Sequence, residues 1–210
     1  MYNLPYFKEK DAQVLMDFMK THSFAMLIGC HQDIPVATQV PFLFEEREGK
    51  LFLQGHIMRN TDHHKALEAN PNALCVFTGP HTYVSASLYT NQRSASTWNY
   101  MTVHARGQVS FLGEAALWKI LEETTSHYEG DPHSPASFDQ LPREYVEKLM
   151  KAIVGIEMEV KEMDHVFKLS QNNDQVSYSN IIKKLSSGDP DAKSIAEEMQ
   201  LREASIFKKD

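Results

Sequence analysis

Apolar and polar residues alternate along the stretch Thr-Trp-Asn-Tyr-Met-Thr-Val-His-Ala-Arg-Gly-Gln at positions 97–108, with the two-residue period of an extended strand. Trp98, Tyr100, Thr102, His104 and Arg106 fall on one face, and Met101, Val103, Ala105 and, further on, Val109 and Phe111 on the other. The second face reads as core. The first combines two large aromatics, a hydroxyl, an imidazole and a guanidinium, a set that suits a planar anionic ligand or a subunit contact. A half-exposed strand turning polar groups to water is the alternative.

The same patterning orders the rest of the chain. Asp11 is placed to cap a first helix carrying Val14, Leu15, Phe18 and Met19 at helical spacing. An apolar run at 24–29, a turn at His31-Gln-Asp and an alternating stretch at 34–44 predict a hairpin, with Pro35 and Pro41 confining its second strand to an edge or a bulge. A polar turn at 45–50 leads to a third strand at 51–57. Thr61 or Asp62 then caps a short helix through Leu67 to Ala69, which Asn70-Pro71 stops. Residues 73–78 are apolar on both faces and predict a central strand, after which Gly79-Pro80 is expected to turn the chain. His81, Tyr83 and Ser85 next alternate with Thr82, Val84 and Ala86, giving another polar and aromatic face.

A helix at 114–128, a loop at 129–141, a helix opened by Pro142 and a long strand through Val154, Ile156, Met158 and Val160 follow, with a break expected at Met163-Asp164 before 166–170. Two helices close the chain: one carries Tyr178, Ile181, Ile182 and Leu185, the other Ile195, Ala196 and Met199, with Gly188-Asp-Pro between them. The tail Lys208-Lys209-Asp210 is expected to fray. Six or seven strands joined by hairpin-like turns predict a mainly β, α+β fold: an antiparallel barrel or strongly curved sheet with peripheral helices.

Composition narrows the function. Among 210 residues, Asp and Glu outnumber Lys and Arg 28 to 21, a net charge of -7 that argues against direct DNA binding through phosphates. Cys30 and Cys75 each sit in an apolar run, as reduced structural cysteines do. No apolar stretch approaches the ~20 residues of a membrane span, and the N-terminus lacks the pattern of a signal peptide, so the expected location is the cytoplasm. The sequence holds no dinucleotide or phosphate-loop glycine motif, no cysteine pair at zinc spacing and no nucleophile elbow. Arg59 and Lys65 beside a helix start suit a phosphate, with a solvated helical turn as the alternative reading.

Four segments carry a resemblance: Gly55-His-Ile-Met-Arg-Asn, Gly79-Pro-His-Thr-Tyr-Val-Ser, the Thr97 to Gly107 stretch, and Ile153-Val-Gly-Ile-Glu with Phe167-Lys-Leu-Ser-Gln-Asn. In this order they resemble the PaiB family of FMN-binding negative transcriptional regulators, over most of the chain. That family is similar to split-barrel flavoproteins typified by pyridoxamine 5'-phosphate oxidase. The resemblance implies an antiparallel split β-barrel over residues 1–175, a helical extension over 176–210, a homodimer, and FMN in a groove between the subunits. By the same resemblance the phosphate falls to Arg59, Asn60, His64 and Lys65, and the remaining cofactor-binding candidates are His56, Tyr83, Ser85, Trp98, Asn99, Tyr100 and His104. The sequence departs from the pattern in two places. His63 stands where many split-barrel proteins have lysine, and Thr-Asp-His-His replaces the frequent Asn-Pro-Gln-Trp.

The leading functional reading is therefore an FMN-binding regulator that acts indirectly on transcription. The alternative is a flavin-dependent oxidoreductase or a haem-handling enzyme, which His56, His63, His64, His81 and His104 in or beside the groove keep open. No metal site and no catalytic nucleophile-base pair is read from the sequence.

Overall fold

A computed structural model of the chain describes residues 1–131 and 133–208. The frayed tail expected at Lys209 and Asp210 lies outside the described residues. Strands β1 (Phe24–His31), β2 (Ile34–Pro41), β3 (Leu43–Arg47), β4 (Lys50–Met58), β5 (Asn72–Val84), β6 (Thr97–Leu112) and β7 (Ile153–Lys168) form one antiparallel sheet in the order β2-β1-β5-β6-β7-β4-β3. Among the described residues the α-helices are α1 (Ala12–Thr21), α2 (Asp62–Ala69), α3 (Glu114–Glu129), α4 (Arg143–Met150), α5 (Gln175–Leu185) and α6 (Pro190–Ile206). The expected mainly β architecture with peripheral helices is what the chain adopts.

Local chemistry sets the turns. Gln32 and Asp33 (φ 49° and 63°) and Glu48 and Gly49 (φ 52° and 73°) lie in left-handed backbone, which gives both two-residue hairpin loops the twist their strands need. The stretch 34–44 is two strands rather than one. Pro41 has no N–H to continue the ladder, the Phe42 N–H donates to the Ser23 carbonyl at 2.9 Å, and the Phe42 ring turns into the core. The chain corners there, and Leu43–Arg47, together with most of the expected polar turn, pairs with β4 instead. β2 lies at the sheet edge, as its two prolines require. A Cβ on Gly55 of β4 would stand 2.7 Å from Val40 Cγ1 and 3.1 Å from the Pro41 carbonyl, so the end of β2 crosses β4 closely and curls the sheet without a ladder between them.

Two expected breaks are absent. Gly79-Pro80 stays extended inside β5, and the inward positions change parity from Ala73, Cys75 and Phe77 to Val84, so the pair shifts the face rather than reversing the chain. β7 likewise runs through Met163 and Asp164 without interruption.

The chain divides into two compact units. The first comprises Met19–Phe77 and His104–Met163. Besides β1 to β4 and parts of β5, β6 and β7 it contains a helical cluster of Leu117, Phe138, Val146 and Met150, with Trp118, Leu121, Leu141 and Ile153 packed against it. The second comprises Met1–Phe18, Thr78–Val103 and Asp164–Asp210. Leu169, Tyr178, Ile181, Ile195 and Met199 are fully buried in it, and the Tyr178 hydroxyl donates to the Met199 carbonyl at 3.0 Å. Its first residues are tied down by Lys8, which bonds the Asp164 carboxylate and the His165 carbonyl, and by the Glu9 N–H, which donates to His165 Nε2.

Asp174 is the N-cap of α5. It accepts from the Ser177 hydroxyl at 2.6 Å, the Ser177 N–H at 3.0 Å and the Thr90 hydroxyl at 2.7 Å, and these bonds, the Ser177 hydroxyl first, lower its pKa to about 2. A depressed folded-state pKa gives stability that is present above the ordinary value of 3.8 and is lost as pH falls toward about 2. Thermal unfolding followed from pH 5 to pH 2 should therefore show a steeper loss in the parent protein than in Asp174→Asn, which keeps an acceptor but not the charge. Parallel curves would remove Asp174 from the acid response.

Candidate functional site

The segment joining β4 to α2 is built from its own side chains. Asn60 adopts φ 62°, a left-handed conformation that asparagine tolerates, and its N–H donates to His64 Nδ1 at 3.2 Å. Thr61 caps α2 by accepting from the His64 N–H at 3.2 Å, while its hydroxyl donates to the Met58 carbonyl. His64 is thereby turned inward, with its ring edge-on to Phe111 at 5.0 Å. His63 is buried as well: Nδ1 lies 2.8 Å from the Thr38 hydroxyl, and a Cβ on Gly29 would sit 3.3 Å from its Nε2. Burial holds its pKa below the usual imidazole range.

Arg59 and Lys65 remain on the surface of this unit. The Arg59 backbone is fixed by its N–H to the Ala152 carbonyl at 2.9 Å, and the residue lines a groove of about 900 Å³ with Trp118, Arg143 and Lys151. In that groove Arg143 is already paired with Glu147 at 2.7 Å. His56, opposite Gly155 in the ladder, is half-buried with its pKa lowered by desolvation and its Nδ1 unbonded. His104 is also half-buried, on β6.

The second unit holds the other candidates. Trp98 and Tyr83 are each 53% exposed, their rings 5.8 Å apart edge to face, and the His81 ring lies 6.1 Å from that of Trp98. Tyr100 is half-buried, and desolvation raises its pKa. Ser85 is occupied locally, accepting from the Ser87 N–H at 3.2 Å. Asn99 points to the opposite face from Trp98 and Tyr100. It is wholly buried, its Oδ1 accepts from the Ser170 hydroxyl at 3.0 Å, and its Nδ2 donates to Met199 Sδ.

Sequence reasoning did not foresee Lys168. It is 8% exposed, and its ammonium donates to the Thr97 hydroxyl at 2.6 Å and the Trp98 carbonyl at 2.7 Å. Gln171 braces the turn that follows by accepting from the Leu169 N–H and donating to the Phe167 carbonyl. The two most distinctive segments of the chain, Trp98-Asn-Tyr and Lys168-Leu-Ser-Gln-Asn, are thus one hydrogen-bonded assembly. The motif was visible, but its partner 71 positions earlier was not.

A family model described as "Putative FMN-binding domain" matches residues 1–162. The chain belongs to this FMN-binding family. It is also 32% identical over 201 residues to the Protease synthase and sporulation protein PAI 2 of Bacillus subtilis, covering 95% of this chain and 97% of that one. A second relative, an uncharacterized protein of Emericella nidulans, is 27% identical over 80% of this chain and 79% of its own. Among solved structures, the fold is similar to an FAD and haem binding protein from Mycobacterium smegmatis (TM-score 0.56, 16% identity, 76% of this chain and 72% of that one). It is equally similar to a flavocytochrome from Azotobacter vinelandii (TM-score 0.56, 15% identity, 80% of this chain and 72% of that one). These likenesses establish the split-barrel fold.

FMN is the cofactor of the FMN-binding family, and the residue types present fit it. Exposed Arg59 and Lys65 offer cations of the kind a phosphate takes, and exposed Trp98 and Tyr83 offer faces of the kind a flavin ring takes. His64 and Asn99 support the fold around these groups through their internal hydrogen bonds, and His63 does so through Nδ1 to the Thr38 hydroxyl, while its buried Nε2 has no hydrogen-bond partner among the described residues.

Proposed function

We propose that the protein is an FMN-binding, PaiB-like negative regulator of transcription that works in the cytoplasm as a homodimer and reaches its genes indirectly. The observation that carries this reading is the solvent-exposed aromatic platform of Trp98, Tyr83 and His81, backed by a dedicated hydrogen-bonded clamp. Tyr100 extends the ring site, and Arg59 and Lys65 hold the phosphate with the Asn60 turn and His64 setting the loop. The Bacillus subtilis relative is named a protease synthase and sporulation protein, and a role in gene control is our reading of that name. An indirect route follows from the net charge of -7 and from the helices: α5 carries only Lys183 and Lys184 as cations, while α6 mixes Arg202 with Glu197, Glu198 and Glu203.

The homodimer has its own support. Phe24 (64% exposed), Met26 (38%) and Ile28 line one face of β1, with Val76 and Leu74 beside them on β5 and Ala37 and Pro35 on β2. Gln39, opposite Met26 on β2, interrupts this stripe, and a largely apolar sheet face of this kind supports an interface. Light scattering on the purified protein should return a dimer, and Phe24→Asp with Met26→Asp should shift it to monomer; a parent protein that is monomeric at micromolar concentration would remove the dimer.

One absorbance spectrum tests the cofactor. The protein as purified, or after incubation with FMN, should show oxidised-flavin bands that stay with it through gel filtration. A haem Soret band would instead favour the haem-handling alternative, and a featureless spectrum after incubation would sink the flavin reading.

A further inference from the structure

Lys168 is a buried ammonium whose two protein acceptors, the Thr97 hydroxyl and the Trp98 carbonyl, are both neutral. Among the described residues no carboxylate pairs with it, and the Phe7 ring, 5.7 Å from Nζ, covers it. Burying an unpaired charge is costly, and a methionine or leucine would fill the space without that cost. The geometry therefore asks what the ammonium achieves. It grips the chain at the two residues that begin β6, and the second of them bears the exposed indole of Trp98. Two positions on, the Ser170 hydroxyl, displayed by a backbone at φ 64°, grips Asn99. Residues 97 to 99 are thus held at successive points, two by Lys168 and one by Ser170. Among the described residues nothing comparable holds the indole itself, whose neighbours Tyr83 and His81 meet it only as rings.

We propose that Lys168 is a positioning residue for the flavin ring: by holding Thr97 and the Trp98 carbonyl it fixes the backbone from which the indole projects, and so presets the platform. The inference rests on the FMN reading above and deepens it by separating two duties, ring affinity set through Lys168 and phosphate affinity set by Arg59 and Lys65. Hydrogen bonds from a charged donor are worth about 1.5–3 kcal/mol each, so loss of the grip should weaken ring binding at least roughly tenfold.

The test uses the full chain with Trp118→Phe, which leaves Trp98 as its one tryptophan. Lys168→Met keeps the aliphatic stem and removes the donors; Lys168→Arg restores donors and charge. In ligand-free protein, acrylamide quenching of Trp98 fluorescence should rise in the methionine variant and return toward the parent value in the arginine variant. FMN and riboflavin should both lose affinity in Lys168→Met by a similar factor, and arginine should recover most of it. Unchanged quenching together with unchanged riboflavin affinity would overturn the proposal. So would a loss confined to FMN, which would place Lys168 with the phosphate. If Lys168→Met fails to fold by circular dichroism, Thr97→Val, which removes one acceptor, gives the same readouts. A parent protein that binds neither flavin sinks the cofactor reading, while the quenching comparison still decides whether Lys168 sets Trp98.

Discussion

Replacing Gly107 by alanine should destabilise the protein severely. A Cβ at this position of β6 would run into the Glu159 carbonyl oxygen of β7 and stand 2.9 Å from the carbonyl carbon and 3.1 Å from Met158 Cγ. The first two obstacles are backbone, so no rotamer change relieves them, and the two strands must separate where they cross. Overpacking typically costs about 1–3 kcal/mol when side chains can give way, and this clash belongs at or above the top of that range. Against a whole-protein stability of about 5–15 kcal/mol, that is a large fraction. Gly113→Ser is the control: nothing lies within 4 Å of a Cβ there, and serine is a favoured cap at the start of α3. Melting curves should show a large drop for the first and little change for the second. Equal melting temperatures for Gly107→Ala and the parent would mean that β6 and β7 do not cross this closely.

The second large effect concerns the cofactor. Arg59→Ala and Lys65→Ala should each weaken FMN binding by roughly ten- to a hundredfold, since a phosphate loses a charge-assisted bond of about 1.5–3 kcal/mol with each cation. Riboflavin, which has the same ring and no phosphate, should be nearly unaffected. Asp62 shapes the expectation: its carboxylate accepts from the His63 N–H at 2.8 Å and places a negative charge in the first turn of α2. Removing that charge in Asp62→Asn should therefore strengthen FMN binding by a few-fold, by the sign of the interaction alone. Fluorescence titration with both ligands decides the matter. Equal losses for FMN and riboflavin in Arg59→Ala and Lys65→Ala, or none for either, would place the phosphate elsewhere.

The parts of this molecule that could be read from the sequence are those governed by near neighbours. The two-residue period at 98–106 correctly separated the Trp98 face from the Met101 and Val103 face, because alternation needs only the strand itself. Thr61 and Pro142 marked helix starts for similarly local reasons. Gly79-Pro80 misled because the pair is as compatible with a shifted strand as with a turn, and the choice is made by neighbouring strands. Phe111 was assigned to the core face yet is 36% exposed, lying against His64 rather than inside the sheet. Asn99 did carry a signal: an amide in the same stripe as Met101, Val103 and Ala105 must find partners indoors. Those partners, Ser170 and Met199, come from far along the chain, as does Lys168, and no local pattern could name them.

The tie between Lys8 and Asp164 has a consequence during synthesis. The two residues are 156 positions apart, so the N-terminal segment leaves the ribosome long before its partner exists. At roughly 5–20 residues per second the delay is on the order of 8–30 s. Throughout that interval Phe7 has no Lys168 to lie against, and the nascent chain offers it, with the Tyr2 and Tyr6 rings beside it, to any chaperone that scans for aromatic clusters. Native order around Lys8 has to wait for the end of β7.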